Sequence, residues 1–180
     1  MHRQFLLDKL AQHTPHDADE HEMLQRIVTF VNEYEDCFKR ELTVGHITGS
    51  AWILNKERSH VLLTHHKKLN RWLQLGGHSD GESNTLKVAL KEGEEESGLE
   101  VLPINEAVFD VDVHLIPARK QEPDHYHYDV RFLLEADSKQ PFTVSEESHD
   151  LAWVALDELP NKVDERSLLR MWEKTQALLI

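Results

Sequence analysis

Between Gly76 and Leu99 the chain reads GGHSDGESNTLKVALKEGEEESGL: paired glycines, a polar turn, then a helix with glutamate at four of the five positions 92–96. At about 100° per residue, Leu86, Ala89, Leu90 and Gly93 form an apolar face while Lys87, Lys91 and Glu94 point to solvent. Glu92, Glu95 and Glu96 fall within roughly 100° beside that face, so three carboxylates converge where a helix is normally half buried. Like charges three and four residues apart cost about 0.2–0.5 kcal/mol per pair, and anions in a last turn oppose the helix dipole. A cation has to compensate. Magnesium takes oxygen ligands and is commonly shared between carboxylates and substrate phosphates. Gly98 suits the left-handed residue that ends such a helix.

The 180 residues suffice for one core of ordinary size, and the expectation is one domain spanning 1–180. A formal net charge of -13 argues against nonspecific nucleic-acid binding, which needs lysine and arginine. An acidic chain that handles phosphates needs cations between the two, consistent with the glutamate cluster. No apolar run approaches the roughly 20 residues that cross a bilayer, and the N-terminus lacks an apolar secretory core, so no membrane partner and a cytoplasmic location are expected. The lone Cys37 cannot form an internal disulfide and reads as a small buried side chain.

Apolar spacing predicts two helices, over residues 2–12 and 19–40, broken by His13-Thr14-Pro15-His16-Asp17. These form an N-terminal helical extension over 1–42, whose apolar stripe serves as core or as a homodimer interface. A β-hairpin is expected from 46–54 and 60–64, then a short strand at 72–75 running into the glycine pair, then a helix over 84–97. Alternation in 107–116 puts Phe109, Val111, Val113 and Leu115 on one face and Asp110, Asp112 and His114 on the other. Residues 125–134 alternate likewise, and a hairpin between the two strands would set His114 opposite His127. On that polar face Asp112 and Asp129 are costly neighbours without a cation or donor. A strand at 151–154 and a helix over 165–179 close the chain.

The 76–99 stretch resembles the Nudix box: glycine, five residues, glutamate, seven residues, then Arg-Glu-apolar-any-Glu-Glu-any-Gly-apolar. Gly77, Glu92, Glu95, Glu96, Gly98 and Leu99 match it; Ser83, Lys91 and Gly93 stand where glutamate, arginine and an apolar residue belong. Glu82 neighbours the missing glutamate, and Lys91 is spaced to pair with Glu95. The LQLGGH entry, DVHLIPARK, HYDVRFLL and the SEES segment are similar to a bacterial Nudix subgroup with histidine after the glycine pair.

The resemblance implies a Nudix-type α/β/α sandwich with a mixed β-sheet and two added N-terminal helices. It implies a metal-dependent hydrolase that cuts a phosphoanhydride bond in a small nucleoside diphosphate derivative, using Mg2+ or Mn2+. Glu92, Glu95, Glu96 and the carbonyl of Gly76 are the expected metal ligands. Glu95, Glu96 and Glu147 are the catalytic candidates, with Glu146 an alternative to Glu147, and His78, His127 and Arg131 the substrate-binding ones. His114 and His125 are further candidates on the same face, and Trp72, Trp153 and Tyr126 are available to stack on a base or to fill the core. Three other readings stay open: a Nudix-like module that binds a nucleotide metabolite without cutting it; an isomerase, for which Cys37 lies too early in the chain; and a structural acidic protein that binds cations without catalysis, which fits the charge but not the glycine turn.

Overall fold

The computed structural model describes residues 2–67, 69–118, 123–145 and 148–179. In chain order the elements are α1 (His2–Ala11), α2 (Ala18–Glu33), β1 (Gly45–Asn55), β2 (His60–His66), β3 (Arg71–Leu73), β4 (Leu75–His78), α3 (Thr85–Ser97), β5 (Val101–Ile116), β6 (His125–Ala136), β7 (Ser148–Ala155), α4 (Leu159–Lys162) and α5 (Arg166–Leu178). The strands form a sheet in the order β3-β2-β1-β6-β5, with β4 paired to β1 and β7 to β2. This is an α/β fold on a mixed sheet, with α1 and α2 added ahead of the first strand. Two compact units can be distinguished, each drawn from three stretches of chain.

The first unit takes the residues up to Ser50, Gly76–Ala89 and Glu106–Phe132. Its α2 starts where a capping box fixes it: Asp17 accepts the Glu20 amide at 2.8 Å, and the Glu20 carboxylate reaches back to the His16 amide at 2.6 Å. Glu20 is fully buried, 2.8 Å from His13 Nε2, and accepts the Val111 amide of β5 at 3.3 Å. The helix ends at Glu33, seven residues short of the expected end. Tyr34 turns extended, and turns closed by Tyr34, Asp36 and Lys39 carbonyls carry the chain to Leu42. Glu33, Glu35 and Asp36 would crowd negative charge onto a longer helix's C-terminus, which its dipole disfavours. Phe30 stacks on Tyr128 with ring centroids 3.9 Å apart, and Cys37 is buried as expected.

The second unit takes Ala51–Leu75, Leu90–Asn105 and the chain from Leu133 onward. The expected β1–β2 hairpin is present, antiparallel with Ile53 opposite Leu62. The Asn55 side chain holds its turn by accepting the Ser59 and His60 amides, both at 2.8 Å. β7 pairs with β2 from His60↔Ala155 to His66↔Ser148, longer than the sequence suggested. Trp52 is fully buried and donates to Thr175 of α5 at 3.0 Å. No helix among the described residues is long and apolar enough to cross a membrane.

Candidate active site and a histidine cluster

Within the second unit, the end of α3 carries the glutamates. Gly93 packs its backbone against β1: a Cβ there would sit 3.2 Å from Ile53 Cδ1 and 3.6 Å from Ala51 Cβ. That close approach keeps Glu92 and Glu96, one turn apart on either side of Gly93, only partly exposed. Glu95 faces solvent, 61% exposed, and Lys91 lies 3.6 Å from it and 3.9 Å from Glu92. So two carboxylates point along one half-buried edge and the third stands out from it. Gly98 ends the helix at φ +70°, the left-handed conformation its sequence position called for.

In the first unit Gly76 has a steric reason to be glycine, since a Cβ would fall 2.2 Å from Ser50 Oγ. Glu82 is occupied at the start of α3. It accepts from Lys87 Nζ at 2.7 Å and from the Asn84 amide at 3.0 Å, and the Lys87 hydrogen bond holds its pKa below the usual carboxylate range. Its carboxylate is thus engaged just ahead of α3. Asn84 caps the helix by accepting the Lys87 amide at 3.2 Å.

β5 and β6 are covered along much of both faces, Val111 and Val113 on the apolar face of β5 being 0% and 8% exposed. Asp110 and Asp129, on the polar face, are 0% and 2% exposed, while Leu115 on the apolar face is 50% exposed. The cation that neighbouring Asp112 and Asp129 require is Arg131. Its Nε donates to Asp129 at 2.8 Å, Nη1 to Asp110 at 3.2 Å and Nη2 to Asp112 at 3.3 Å. Burial opposes the arginine's charge, but the three aspartates more than offset it and keep the guanidinium protonated. Asp129 also accepts from Thr48 and Ser50, each at 2.8 Å. Arg131, read from the sequence as a substrate contact, thus sits in a buried ionic cluster with its fork committed to carboxylates.

The candidate histidines do come together, and they bring one that the sequence did not single out. His46, buried at the start of β1, lies with its ring centroid 4.9 Å from His78, 5.0 Å from His125 and 4.8 Å from His127. His114 lies 5.5 Å from His127, as the hairpin register required. Desolvation, followed by the neighbouring imidazoles, lowers the pKa of His46 to about 4 and of His127 to about 2, so both are neutral at physiological pH. Of the aromatic candidates, Trp72 stacks on His65 beneath Lys162, and Tyr126 lies exposed beside Arg26. Glu146 and Glu147 lie outside the described residues.

A family model described as the NUDIX domain matches residues 46–172. The chain belongs to the Nudix family. Several solved Nudix structures resemble it. An Ap4A hydrolase binary complex from C. elegans has a TM-score of 0.58 at 17% identity, over 74% of this chain and 96% of that one. A NUDIX-family hydrolase from Clostridium perfringens has a TM-score of 0.55 at 28% identity, over 74% and 97%. The NUDIX domain of Shewanella oneidensis NrtR, cocrystallised with ADP ribose, has 0.51 at 13%, over 84% and 97%. No curated protein matches the sequence. In Nudix terms, the departures of this box have local reasons. Gly93 replaces the apolar residue because Ile53 and Val101 already fill the space, and Lys91 takes the arginine's place beside Glu92 and Glu95. Sequence reasoning missed His46, which the sequence offered only as the first residue of an expected strand.

Proposed function

We propose that this Nudix pyrophosphohydrolase cuts the phosphoanhydride bond of a nucleoside diphosphate derivative with Mg2+ or Mn2+ held by Glu92, Glu95 and Glu96. The observation that carries the reading is the pair Glu92 and Glu96, one turn apart along a half-buried edge of α3, with Glu95 beside them, in a chain of this family. The donors fit the ion: carboxylate oxygens are the ligands that Mg2+ and Mn2+ prefer, and partial burial strengthens their field. When bound, the ion would neutralise phosphate charge and lower the pKa of a water molecule.

The chain's own residues contribute positioning. Gly93 sets the depth of Glu92 and Glu96 by letting α3 approach β1, and the left-handed Gly98 stops the helix just beyond Glu96. Lys91 restrains Glu95 and Glu92 from the solvent side, without the fork that an arginine would offer. Glu95 and Glu96 are the candidates to accept a proton from the attacking water, with Glu147 as a further candidate supplied from outside the box.

The substrate class follows from the same donors, since carboxylates that share a cation with phosphates suit a diphosphate linkage. A binding-only role has one point in its favour, the ADP ribose in the NrtR structure. Turnover of a panel of nucleoside diphosphate derivatives, with and without Mg2+ or Mn2+, separates the two readings. Metal-dependent product release that falls by at least about 100-fold in Glu96→Gln is expected. Tight binding of a panel member without turnover in the intact protein would overturn the hydrolase reading.

A further inference from the structure

The ligating nitrogens of His46, His125 and His127 lie within 4.8 Å of one another. Their surroundings leave nitrogen lone pairs without other work. His125 Nδ1 lies 2.9 Å from the Pro123 carbonyl. A carbonyl only accepts, so Nδ1 carries the proton and Nε2 presents its lone pair. This is also the arrangement by which an outer hydrogen bond orients a metal-bound histidine. His127 Nε2 is buried with no hydrogen-bond partner among the described residues. His46 is 3% exposed, and neither of its ring nitrogens has a hydrogen-bond partner of normal geometry among the described residues. Buried polar atoms without partners cost about 1–3 kcal/mol each and ask for an explanation.

We propose that His46, His125 and His127 form a three-imidazole site for a divalent transition metal of the Zn2+ type, separate in chemistry from the carboxylate site on α3. Three neutral imidazoles are a poor match for Mg2+ and a good one for Zn2+ and its neighbours. A tetrahedral ion with bonds of about 2.0–2.1 Å sets its nitrogens about 3.3 Å apart. The three rings therefore draw inward on binding, a movement that side-chain rotation supplies.

Two features favour a cation at this place. The polar face of the β5–β6 pair also holds Asp110, Asp112 and Asp129 around Arg131, and Asp112 lies 3.4 Å from His114. His125 in addition lines a cavity of about 730 Å³ walled by Phe30, Tyr34, Val44 and Tyr126, so one of the three ligands is reached from space that water can enter. His78 and His114 flank the three ligands and enclose the site on its other sides. This assignment moves His127 from the substrate contact expected of it to metal ligation.

The test is Zn2+ titration by calorimetry of tag-free, chelator-stripped intact protein in excess Mg2+, which occupies the carboxylates. The wild type is expected to bind one Zn2+ tightly. His127→Ala and, independently, the less buried His125→Ala should each weaken that binding by at least about 10-fold, whereas Glu96→Gln leaves it unchanged. Imidazole 15N NMR gives a second readout that needs no variant: Zn2+ should shift His125 Nε2 while Nδ1 keeps its proton. Zn2+ affinity that survives both histidine variants, or that is lost in Glu96→Gln, overturns the site, and neither result bears on hydrolysis.

Discussion

Replacing Arg131 with methionine keeps much of the side chain's volume and removes a cation that Asp110, Asp112 and Asp129 share. Two of those aspartates are at most 2% exposed, so water cannot take over from the guanidinium. Removing one partner of a buried ionic cluster costs about 3–5 kcal/mol. With a urea m-value of about 2 kcal/mol/M, the unfolding midpoint should fall by about 1.5–2.5 M. For a chain of this size the melting temperature should fall by about 6–20 °C. Urea titrations, paired with kinetics, decide the matter. A midpoint that moves by less than about 0.3 M while KM rises would refute the structural role and restore Arg131 as a substrate contact.

Gly93→Ala should stabilise the protein by about 0.5–1 kcal/mol, because the helix gains propensity and only the mobile end of Ile53 has to give way. A urea midpoint that falls instead would mean that β1 cannot yield there. Glu20→Gln should cost about 2–4 kcal/mol, since the fully buried carboxylate serves His13, the His16 amide and the Val111 amide at once; an unchanged melting temperature would contradict this. Cys37, fully buried and with its thiol pushed up to about 11 mainly by burial, should resist alkylation at about pH 8 until the protein is unfolded. Stoichiometric labelling of the native protein would show that the α2–β1 connection opens.

How far the sequence could be read depended on how local each signal was. The 84–97 helix appears as Thr85–Ser97 because its cap, apolar face and terminal glycine all lie within the segment. The juxtaposition of His114 and His127 followed from strand alternation and one hairpin. β5 begins at Val101, six residues earlier than alternation indicated, because Pro103, Asn105 and Glu106 disguise its first half as loop. His46 joins the cluster from nearly 80 residues before His125, and no spacing rule links them. The need for a cation near Asp112 and Asp129 was legible. That Arg131 would answer it was not, because strand period alone does not tell a solvated face from a second buried one.

The family match begins at residue 46, yet several requirements of the strands after it are met by residues before it. Glu20 receives the amide of Val111, Phe30 covers the ring of Tyr128, and the Cys37 carbonyl takes the Ile47 amide at 2.7 Å. A polypeptide trimmed to the matching region would leave a strand amide, an aromatic face and the first turn of β1 to water. The helical preamble therefore bears on β1, β5 and β6 alike, and β5 and β6 carry three of the five clustered histidines.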